Sequence, residues 1–419
     1  MEQSSRLERY RQYVDQQLLD KIYRRAEALE GTKVLHLNTT AAGGGVAEIL
    51  KGLTPLTDQL GIKHIRKVVQ LDEASNQFTG RLVDMLQGNL PGDVPQEGRQ
   101  HLLNVLGREL TSAEEYPADV YLVHDYQLVP MASLYPWLRP AAWFCHIDLA
   151  HPNTDAIRYV DHFLTDYELC LFNNNEASVL KSLPPERTCV VTLGIDPFLR
   201  KHEPLTQEEG MELIRGCGVD PQQPIIAQIG RFDRWKNPWQ AVDIYRQVKQ
   251  RIPSVQLAIV GAMTASDDIK ALDVLHDVQR YVGDDRDVHL LYDPRQIQDP
   301  QVNAFQRYSS VILQRSIREG FGLTVSEAMW KYQPVVGTSA TGLQMQIVHG
   351  FNGYIADDTE TAADYVLHLL KNRDAWKQLG AQAHEHVRQH FLIPSMLLEY
   401  LEALAIVRGG QPAKIKEAL

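Results

Sequence analysis

The sequence has few cysteines, and their spacing excludes the common cysteine-based sites. Four cysteines occur among 419 residues, at positions 145, 170, 189 and 217. None belongs to the CxxC pair that zinc sites and thiol–disulfide centres commonly use. Cys145 and Cys170 lie inside apolar runs, which predicts that they are buried core thiols.

Long apolar runs and an excess of positive charge are also missing. No run approaches the roughly 20 apolar residues of a membrane-spanning helix, and the polar N-terminal stretch lacks the apolar core of a signal peptide. The net charge of −11 argues against the broad electropositive surface that nucleic acids and anionic membranes attract. We expect a cytoplasmic protein with no nucleic-acid or membrane partner, although a local basic pocket for phosphate stays compatible with this charge.

The length predicts two domains of about 200 residues each. Hydrophobic residues make up 44% of the chain and charged residues 23%, which is the balance of a globular protein. Four prolines in residues 196–224 interrupt the regular pattern of apolar runs. We therefore predict an N-terminal domain over residues 1–215, a C-terminal domain over 216–385 and a helical tail over 386–419.

Both predicted domains alternate short apolar runs with helical segments, beginning with a helix over residues 7–29. The runs lack strict alternation, as in parallel strands that are buried on both faces. The predicted strands are Val34–Leu37, Lys67–Leu71, Val120–Val123, Trp143–Cys145, Leu169–Phe172, Cys189–Val191, Ile225–Ile229, Gln256–Val260, Val288–Leu291, Val311–Leu313, Val335–Val336 and Tyr354–Ile355. This order indicates two Rossmann-like, doubly wound α/β domains.

A run of three glycines follows the first predicted strand. Gly43, Gly44 and Gly45 precede a predicted helix in HLNTTAAGGGVAEIL, residues 36–50. Glycines let the backbone approach a ligand closely, and the N-terminus of a helix offers free N–H groups to a phosphate. A strand–helix turn without a ligand would also explain the pattern. No GxGxxG or GxxxxGK[ST] motif occurs, so hydride transfer and P-loop chemistry lose their usual support.

Two basic residues follow the first predicted strand of the second domain. Arg231 and Lys236 lie in the loop after Ile225–Ile229. Ligands of open α/β domains bind at the carboxyl ends of strands, where two cations suit a diphosphate. A solvated loop would carry such residues as well, so this motif alone leaves both interpretations open.

Two glutamates form the most specific pattern. Glu319 lies in a loop with two glycines, and Glu327 lies in the helix that follows. The glycines keep the loop compact, so that backbone N–H groups at positions 321–323 can face a ligand. Two solvated glutamates are the default expectation for a random pair, but this glycine pattern argues against it.

Together these patterns resemble the retaining GT-B glycosyltransferases. Glu319 and Glu327 match the E-x7-E pair of that group, and the glycine run and the Arg231/Lys236 pair occur in the matching order. Within the group, nearly the whole chain is most similar to the trehalose glycosyltransferring synthases. This resemblance is carried by HLNTTAAGGGVAEIL at 36–50, VHDYQ at 123–127, CHIDL at 145–149, RFDRWK at 231–236, NAFQRYSSVILQ at 303–314, SIREGFGLTVSEAMWK at 316–331 and LQMQIVHG at 343–350.

The resemblance implies a GT-B fold, with two facing Rossmann-like domains, a cleft between them and a last helix that can cross back to the first domain. Glu319 would bond the 3-hydroxyl of the donor glucose, and Glu327 would bond the nucleotide ribose. The implied catalytic residues are Glu319, Arg231, Lys236 and His146. The implied donor-binding residues are Gly44, Gly45, Glu327, Phe321, Gly322, Leu323 and Thr324. The implied acceptor-binding residues are Asp125, Gln127 and Asp148.

The resemblance further implies that glucose moves from a nucleoside-diphosphate glucose to free glucose, with retention, and forms trehalose. Arg231 and Lys236 would stabilise the departing diphosphate, so no metal and no cofactor are expected. A CHIDL cluster and a DRD at 285–287 suggest metal ligands. However, alternate residues of a strand point to opposite faces, and the DRD lies in a charged run that is typical of a solvated turn.

Several alternatives stay open. Many relatives have paired glycines where this chain has Thr341-Gly342, which leaves the sugar contacts open. The donor base is undetermined, so UDP-glucose, ADP-glucose and GDP-glucose are all candidates, and the resemblance is compatible with a homodimer. A trehalose phosphorylase, a transferase with another sugar acceptor, a sugar-nucleotide 2-epimerase and a non-catalytic sugar-nucleotide-binding protein would share the fold.

Overall fold

The chain divides into two compact units in the computed structural model, which describes residues 6–41, 45–174, 179–261 and 269–409. The first unit comprises Met1–Gly194 and Ile393–Leu419, and the second comprises Ile195–Leu392. The sequence placed the first division later, after residue 215, and the second division earlier, after residue 385. Residues 195–215 belong with the second unit because they pack there; the Tyr308 hydroxyl, for example, donates a hydrogen bond to the Leu205 carbonyl.

The first unit is built on six strands. They are β1 Lys33–Asn38, β2 Lys63–Val68, β3 Val120–His124, β4 Ala141–Cys145, β5 Leu169–Phe172 and β6 Thr188–Val190. Its helices are α1 Gln16–Glu27, α2 Gly45–Gln59, α3 Glu73–Leu86, α4 Gln96–Leu106, α5 Met131–Leu134, α6 Thr154–Phe163 and, from the end of the chain, α15 Ile393–Val407.

The strands of the first unit form one parallel sheet in the order β2-β1-β3-β4-β5-β6. Every residue of β3, β4 and β5 is buried, as expected for parallel strands with helices on both faces. The chain first pairs β2 on one side of β1 and then returns to pair β3 on the other. The reversal between β1 and β3 is the switch point at which doubly wound sheets bind ligands.

The second unit repeats this plan with six further strands. They are β7 Ile225–Ile229, β8 Gln256–Val260, β9 Val288–Leu291, β10 Val311–Gln314, β11 Val335–Gly337 and β12 Gly353–Ile355. Its helices are α7 Gln207–Gly216, α8 Pro238–Lys249, α9 Ile269–Val282, α10 Asp299–Tyr308, α11 Leu323–Trp330, α12 Thr341–Gln344, α13 Thr359–Lys371 and α14 Arg373–His390. Across the described residues, no helix combines the length and the apolar character needed to cross a bilayer.

The sheet of the second unit has the order β12-β11-β10-β7-β8-β9 and is also parallel. Strands β7, β8 and β10 are buried along their whole length. Here the chain reverses between β7 and β10, so the loops after these two strands meet at the switch point. The prediction of two doubly wound α/β domains is confirmed.

Two elements of the sequence prediction are wrong in their extent. The first helix is interrupted: Leu7–Gln12 forms 3-10 turns, and α1 begins only at Gln16 because the extended Asp15 caps it and accepts the Leu18 N–H at 2.8 Å. Strand β2 begins at Lys63, before the predicted Lys67, because its half-exposed, largely polar face gives little apolar signal. Apart from their ends, the other predicted strands agree with the observed ones.

The loop that carries Glu319 packs tightly against the start of α12. The Gly342 N–H donates to the Glu319 carbonyl at 2.9 Å. A Cβ atom on Gly342 would lie 2.4 to 2.6 Å from the Cα, N and O atoms of Phe321. Gly342, the glycine that this chain keeps in Thr341-Gly342, is therefore required for this close approach of two backbones.

We predict that Gly342→Ala lowers the free energy of unfolding by about 1–3 kcal/mol, the usual cost of overpacking, because backbone atoms have to move. Gly216→Ala is the matched control, since no heavy atom lies within 4 Å of its added Cβ. Urea denaturation of both variants provides the measurement. An unchanged stability of Gly342→Ala would contradict the packing described.

Candidate active site

The turn after β7 places the two predicted phosphate-binding cations. Residues Arg234–Lys236 form one 3-10 turn, and the Asp233 carboxylate caps it by accepting the Trp235 N–H at 3.0 Å. The Lys236 carbonyl accepts from Gln228 Nε2, on β7, at 2.9 Å. The strand therefore fixes the backbone of Lys236, while the Arg231 side chain is 60% exposed and lies 3.5 Å from Asp233.

Lys236 and Glu319 meet at the switch point of the second sheet. The Lys236 ammonium forms an ion pair with Glu319 Oε2. The same carboxylate oxygen accepts from Ser316 Oγ at 2.9 Å and from Gln314 Nε2 at 3.4 Å. Two residues that are 83 positions apart in the sequence are thus held together by the loops after β7 and β10, with both side chains partly accessible.

Helix α11 begins beside this ion pair. Gly322 precedes the helix at a φ of 87°, a left-handed conformation that glycine adopts without steric cost. No side chain caps this N-terminus, and the first N–H groups of a helix, here those of Leu323 and Thr324, have no partner within it. They form a site that favours an anion. The Phe321 ring instead packs in the interior, 5.6 Å from the Phe391 ring between centroids.

Gln346 ties the loop to the helix, and the sequence analysis missed this role. Its Nε2 donates to the carbonyls of Phe321 and Gly342. Its Oε1 accepts from Ser326 Oγ on α11. A glutamine inside the apolar LQMQIV segment was the available signal, because a buried amide requires partners of this kind.

Glu327 lies in a buried polar cluster behind the helix. Its Oε1 lies 2.6 Å from Lys201 Nζ, and its Oε2 accepts from Gln306 Nε2 at 2.8 Å. The Oε1 of Gln306 accepts in turn from Lys331 Nζ. Since both carboxylate oxygens already have protein partners, a ribose hydroxyl would share them.

Charge interactions dominate this cluster. Burial alone would raise the pKa of Glu327, but the nearby Lys201, His202 and Lys331 lower it to about 2. Burial lowers the pKa of Lys331 to about 7 against the attraction of Glu327. His202 is also buried, and within the described residues neither of its ring nitrogens has a hydrogen-bond partner. The cluster therefore depends on the Glu327 charge.

The first unit carries the predicted acceptor residues after β3 and β4. Asp125 follows β3 at a φ of 63°, and its Oδ1 accepts the His146 N–H at 3.0 Å. Burial raises the pKa of Asp125 to about 7. The Trp143 indole also donates to the Asp125 carbonyl at 3.0 Å. Asp125 and His146 are thus placed side by side at the carboxyl end of the sheet.

Two further predicted acceptor residues have unused hydrogen-bonding capacity. Asp148 Oδ1 accepts the Ala150 N–H at 2.9 Å, whereas Oδ2 is buried and, among the described residues, has no partner. Gln127 Oε1 is likewise buried and has no hydrogen-bond partner among the described residues. Gly45 is the first residue of α2, and Gly44 lies outside the described residues. Sugar hydroxyls are donors that would satisfy such acceptors.

Four histidines form a row across the first sheet. His64 Nδ1 lies 2.7 Å from His36 Nε2, His36 Nδ1 lies 3.0 Å from His124 Nε2, and His124 Nδ1 lies 3.0 Å from His146 Nε2. Burial lowers the pKa of all four, to about 4 for His64 and about 3 for His146. The row is therefore uncharged near neutral pH. The sequence analysis named His146 as a site residue and included His124 only within the VHDYQ segment, and it gave no role to His36 or His64.

The acidic pair that suggested a metal has a structural partner instead. Asp285 and Asp287 lie 3.1 and 2.6 Å from the Lys249 ammonium, and the Tyr245 hydroxyl also donates to Asp285. Within the described parts of the chain, no three His, Cys, Asp or Glu side chains are grouped so that they could hold a metal ion.

Comparison with known families assigns the chain to one of them. The family model "Trehalose synthase, N-terminal domain" matches residues 36–178, and "Glycosyl transferases group 1" matches residues 212–386. The trehalose synthase of Pyrococcus horikoshii is 38% identical over 404 residues, which cover 96% of this chain and 97% of that protein. The chain belongs to the trehalose synthase family of GT-B glycosyltransferases. Membership makes it a trehalose-forming hexosyltransferase.

Solved structures of low sequence identity share the fold. A UDP-forming α,α-trehalose-phosphate synthase from Burkholderia vietnamiensis has a TM-score of 0.69 at 14% identity, over 91% of this chain and 98% of that one. An Anabaena protein in complex with UDP-glucose has a TM-score of 0.68 at 18% identity, over 89% and 99%. The two Rossmann-like domains of the GT-B fold implied by the sequence are therefore confirmed.

We predict that Lys201→Met and Glu327→Gln each lower the free energy of unfolding by about 3–5 kcal/mol, the usual effect of breaking a buried ion pair. The double variant should lose less than the sum, because each change removes the same pairing. Arg295→Met, at an exposed pair with Asp293, is the control and should be silent. If urea denaturation shows that the double variant loses the sum of the two single losses in stability, Lys201 and Glu327 are not energetically coupled.

Proposed function

We propose that this protein transfers glucose from a nucleoside-diphosphate glucose to free glucose, with retention at the anomeric carbon, and releases α,α-trehalose. The observation that carries the proposal is the pairing of Lys236 with Glu319 at the switch point, beside the uncapped N-terminus of α11. Membership of the trehalose synthase family supports the product, and relatives described with UDP-glucose support the class of donor.

The leaving group would be stabilised by charge. When the bond between the anomeric carbon and the phosphate oxygen breaks, the diphosphate gains negative charge. Lys236, Arg231 and the N–H groups at the start of α11 would stabilise it. Because Lys236 is held by its backbone, little reorganisation is needed as that charge develops.

The acceptor hydroxyl would attack on the face that the phosphate leaves. A new bond forms between the acceptor oxygen and the anomeric carbon, and the departing phosphate oxygen takes the hydroxyl proton. Atoms and charge balance without a protein nucleophile. Glu319 would accept a hydrogen bond from the 3-hydroxyl of the transferred glucose, as the family resemblance implies, while its Oε2 stays paired with Lys236.

The acceptor sugar is assigned to the polar residues of the first unit. Asp148 Oδ2 and Gln127 Oε1 are buried acceptors, without a partner in the described structure, that hydroxyl groups of glucose would satisfy. Asp125 and His146, joined by the hydrogen bond at 3.0 Å, would complete this set. Metal independence, a cytoplasmic location and a homodimer stay predictions of the sequence analysis.

We predict that the protein makes α,α-trehalose from a nucleoside-diphosphate glucose plus glucose, and that excess chelator leaves the rate unchanged, since in this proposal Arg231 and Lys236 neutralise the leaving group. UDP-, ADP- and GDP-glucose are each tested, with product analysis by chromatography and NMR. Loss of activity on chelation, with rescue by magnesium or manganese, would refute metal independence.

The other products of this assay separate the alternatives. Trehalose formed from glucose 1-phosphate but from no nucleotide donor would indicate a phosphorylase. A disaccharide formed only with a different sugar would indicate another acceptor. A 2-epimer without disaccharide would indicate an epimerase, and binding without turnover would indicate a non-catalytic protein.

We predict that Lys236→Ala and Arg231→Ala each lower kcat by roughly 10²–10³, as removal of one preorganised charge-stabilising donor does. Arg234→Ala is the matched control, because Arg234 is an exposed cation of the same turn and should retain near-normal kcat. Steady-state kinetics of the three folded variants provide the measurement. Equal activity of Lys236→Ala and Arg234→Ala would contradict the assignment.

A further inference from the structure

The row of four histidines has a chemical property that none of its members has alone. Each hydrogen bond joins Nδ1 of one ring to Nε2 of the next. A neutral imidazole carries one proton, so one of its nitrogens donates and the other accepts. If one ring changes tautomer, its neighbours have to change with it. The row therefore has two consistent states, with all shared protons on Nδ1 or all on Nε2.

Tyr400 of helix α15 favours the first state. Its hydroxyl lies 3.4 Å from His36 Nε2 and is buried. Burial raises the pKa of this phenol well above its ordinary value, so the hydroxyl keeps its proton and needs an acceptor. Among the described residues, the acceptor within its reach is His36 Nε2, which in the first state also accepts from His64 Nδ1 at 2.7 Å. A nitrogen that accepts carries no proton, so the proton of His36 is on Nδ1.

The surroundings of His146, at one end of the row, favour the same tautomer. In the described structure, His146 Nδ1 and Asn173 Oδ1 are buried and neither has a hydrogen-bond partner. Burial lowers the pKa of His146, and the side chain of Asn173 opposes this by raising it. A side chain that raises the pKa of an imidazole stabilises one of its N–H groups and not a lone pair. This favours the proton of His146 on Nδ1, the ring nitrogen that His124 does not contact.

The neighbourhood of the row keeps the rings neutral. The Arg66 guanidinium donates to Asn38 Oδ1 at 2.9 Å and lowers the pKa of both His36 and His124 by charge repulsion. Added protons are therefore disfavoured along the interior of the row. A neutral row can respond only by a change of tautomer, not by a change of charge.

We propose that His124, supported by His36, His64 and Tyr400, is a positioning residue that keeps the proton of neutral His146 on Nδ1. The Nδ1–H of His146 is then available to the buried Asn173 side chain, while its Nε2 lone pair is occupied by His124. His146 cannot serve as a general base in this state, which leaves the acceptor proton to the departing phosphate. The consequence for the acceptor proton rests on the proposed function, but the tautomer does not.

The test begins with the unmodified full chain. Histidine labelled with ¹⁵N is observed by long-range ¹H–¹⁵N NMR near neutral pH, which distinguishes the two neutral tautomers and the charged ring. The resonances of His146 are identified by their loss in His146→Gln. We expect a neutral ring with its proton on Nδ1. A proton on Nε2, or a charged ring, would overturn the proposal without any need for a further variant.

Two variants of His124 test its role. His124→Phe keeps a stacked ring but removes the donor, so His146 should shift toward the Nε2–H tautomer and kcat should fall roughly tenfold, the effect of one lost hydrogen bond. His124→Asn keeps an amide donor in place of Nδ1 and should restore both. Affinity for the nucleoside diphosphate should stay unchanged in both variants.

The outcomes separate this proposal from the proposed function. If His124→Phe leaves the tautomer of His146 unchanged, or if His124→Asn behaves like His124→Phe, His124 is not the positioning residue. If the tautomers respond as expected but the protein forms no trehalose from any donor, the proposed function fails and the assignment of the tautomer stands.

Discussion

The ion pair between Lys236 and Glu319 is the contact on which the proposed donor site depends. It joins the loops after β7 and β10, the neighbouring strands between which the chain reverses its direction across the sheet. Partly exposed ion pairs contribute little stability, so backbone contacts hold the two partners in place. Gln228 fixes the carbonyl of Lys236 and Gly342 fixes that of Glu319. A cation and a carboxylate are thereby kept in one geometry before a ligand arrives.

The two glutamates of the E-x7-E pair have opposite environments, although Glu319 lies just before helix α11 and Glu327 lies within it. Glu319 is partly accessible and bonded to one cation, two side chains and a neighbouring loop. Glu327 is buried with Lys201, and Lys331 lies beyond Gln306. The second glutamate is therefore held inside the fold by buried partners. Its assignment to ribose requires a carboxylate that also keeps these partners.

The site of the first unit has a different electrostatic character. It is built from buried polar groups whose pKa values are shifted toward the neutral form: the four histidines downward and Asp125 upward. Neutral donors and acceptors suit an uncharged sugar, whereas the cations of the second unit suit a diphosphate. The division of chemistry between the two sheets follows from the residues at their carboxyl ends.

The sequence by itself determined the two doubly wound domains, most strands and the identity of the motif residues, because buried parallel strands and glycine-rich turns leave strong local patterns. It could not determine which residues meet. Gln306, Lys331, Gln346 and His36 lie within segments that carry the family resemblance, whereas Lys201 and His64 lie outside them. Each of the six acquires its role only through a partner on another element of the fold. The interrupted first helix and the polar edge strand β2 escaped prediction because a single cap and half-exposure give weak signals. Only the tertiary structure decided which polar side chains are buried and which distant segments supply their hydrogen bonds. A buried polar group has lost its water and needs such a partner.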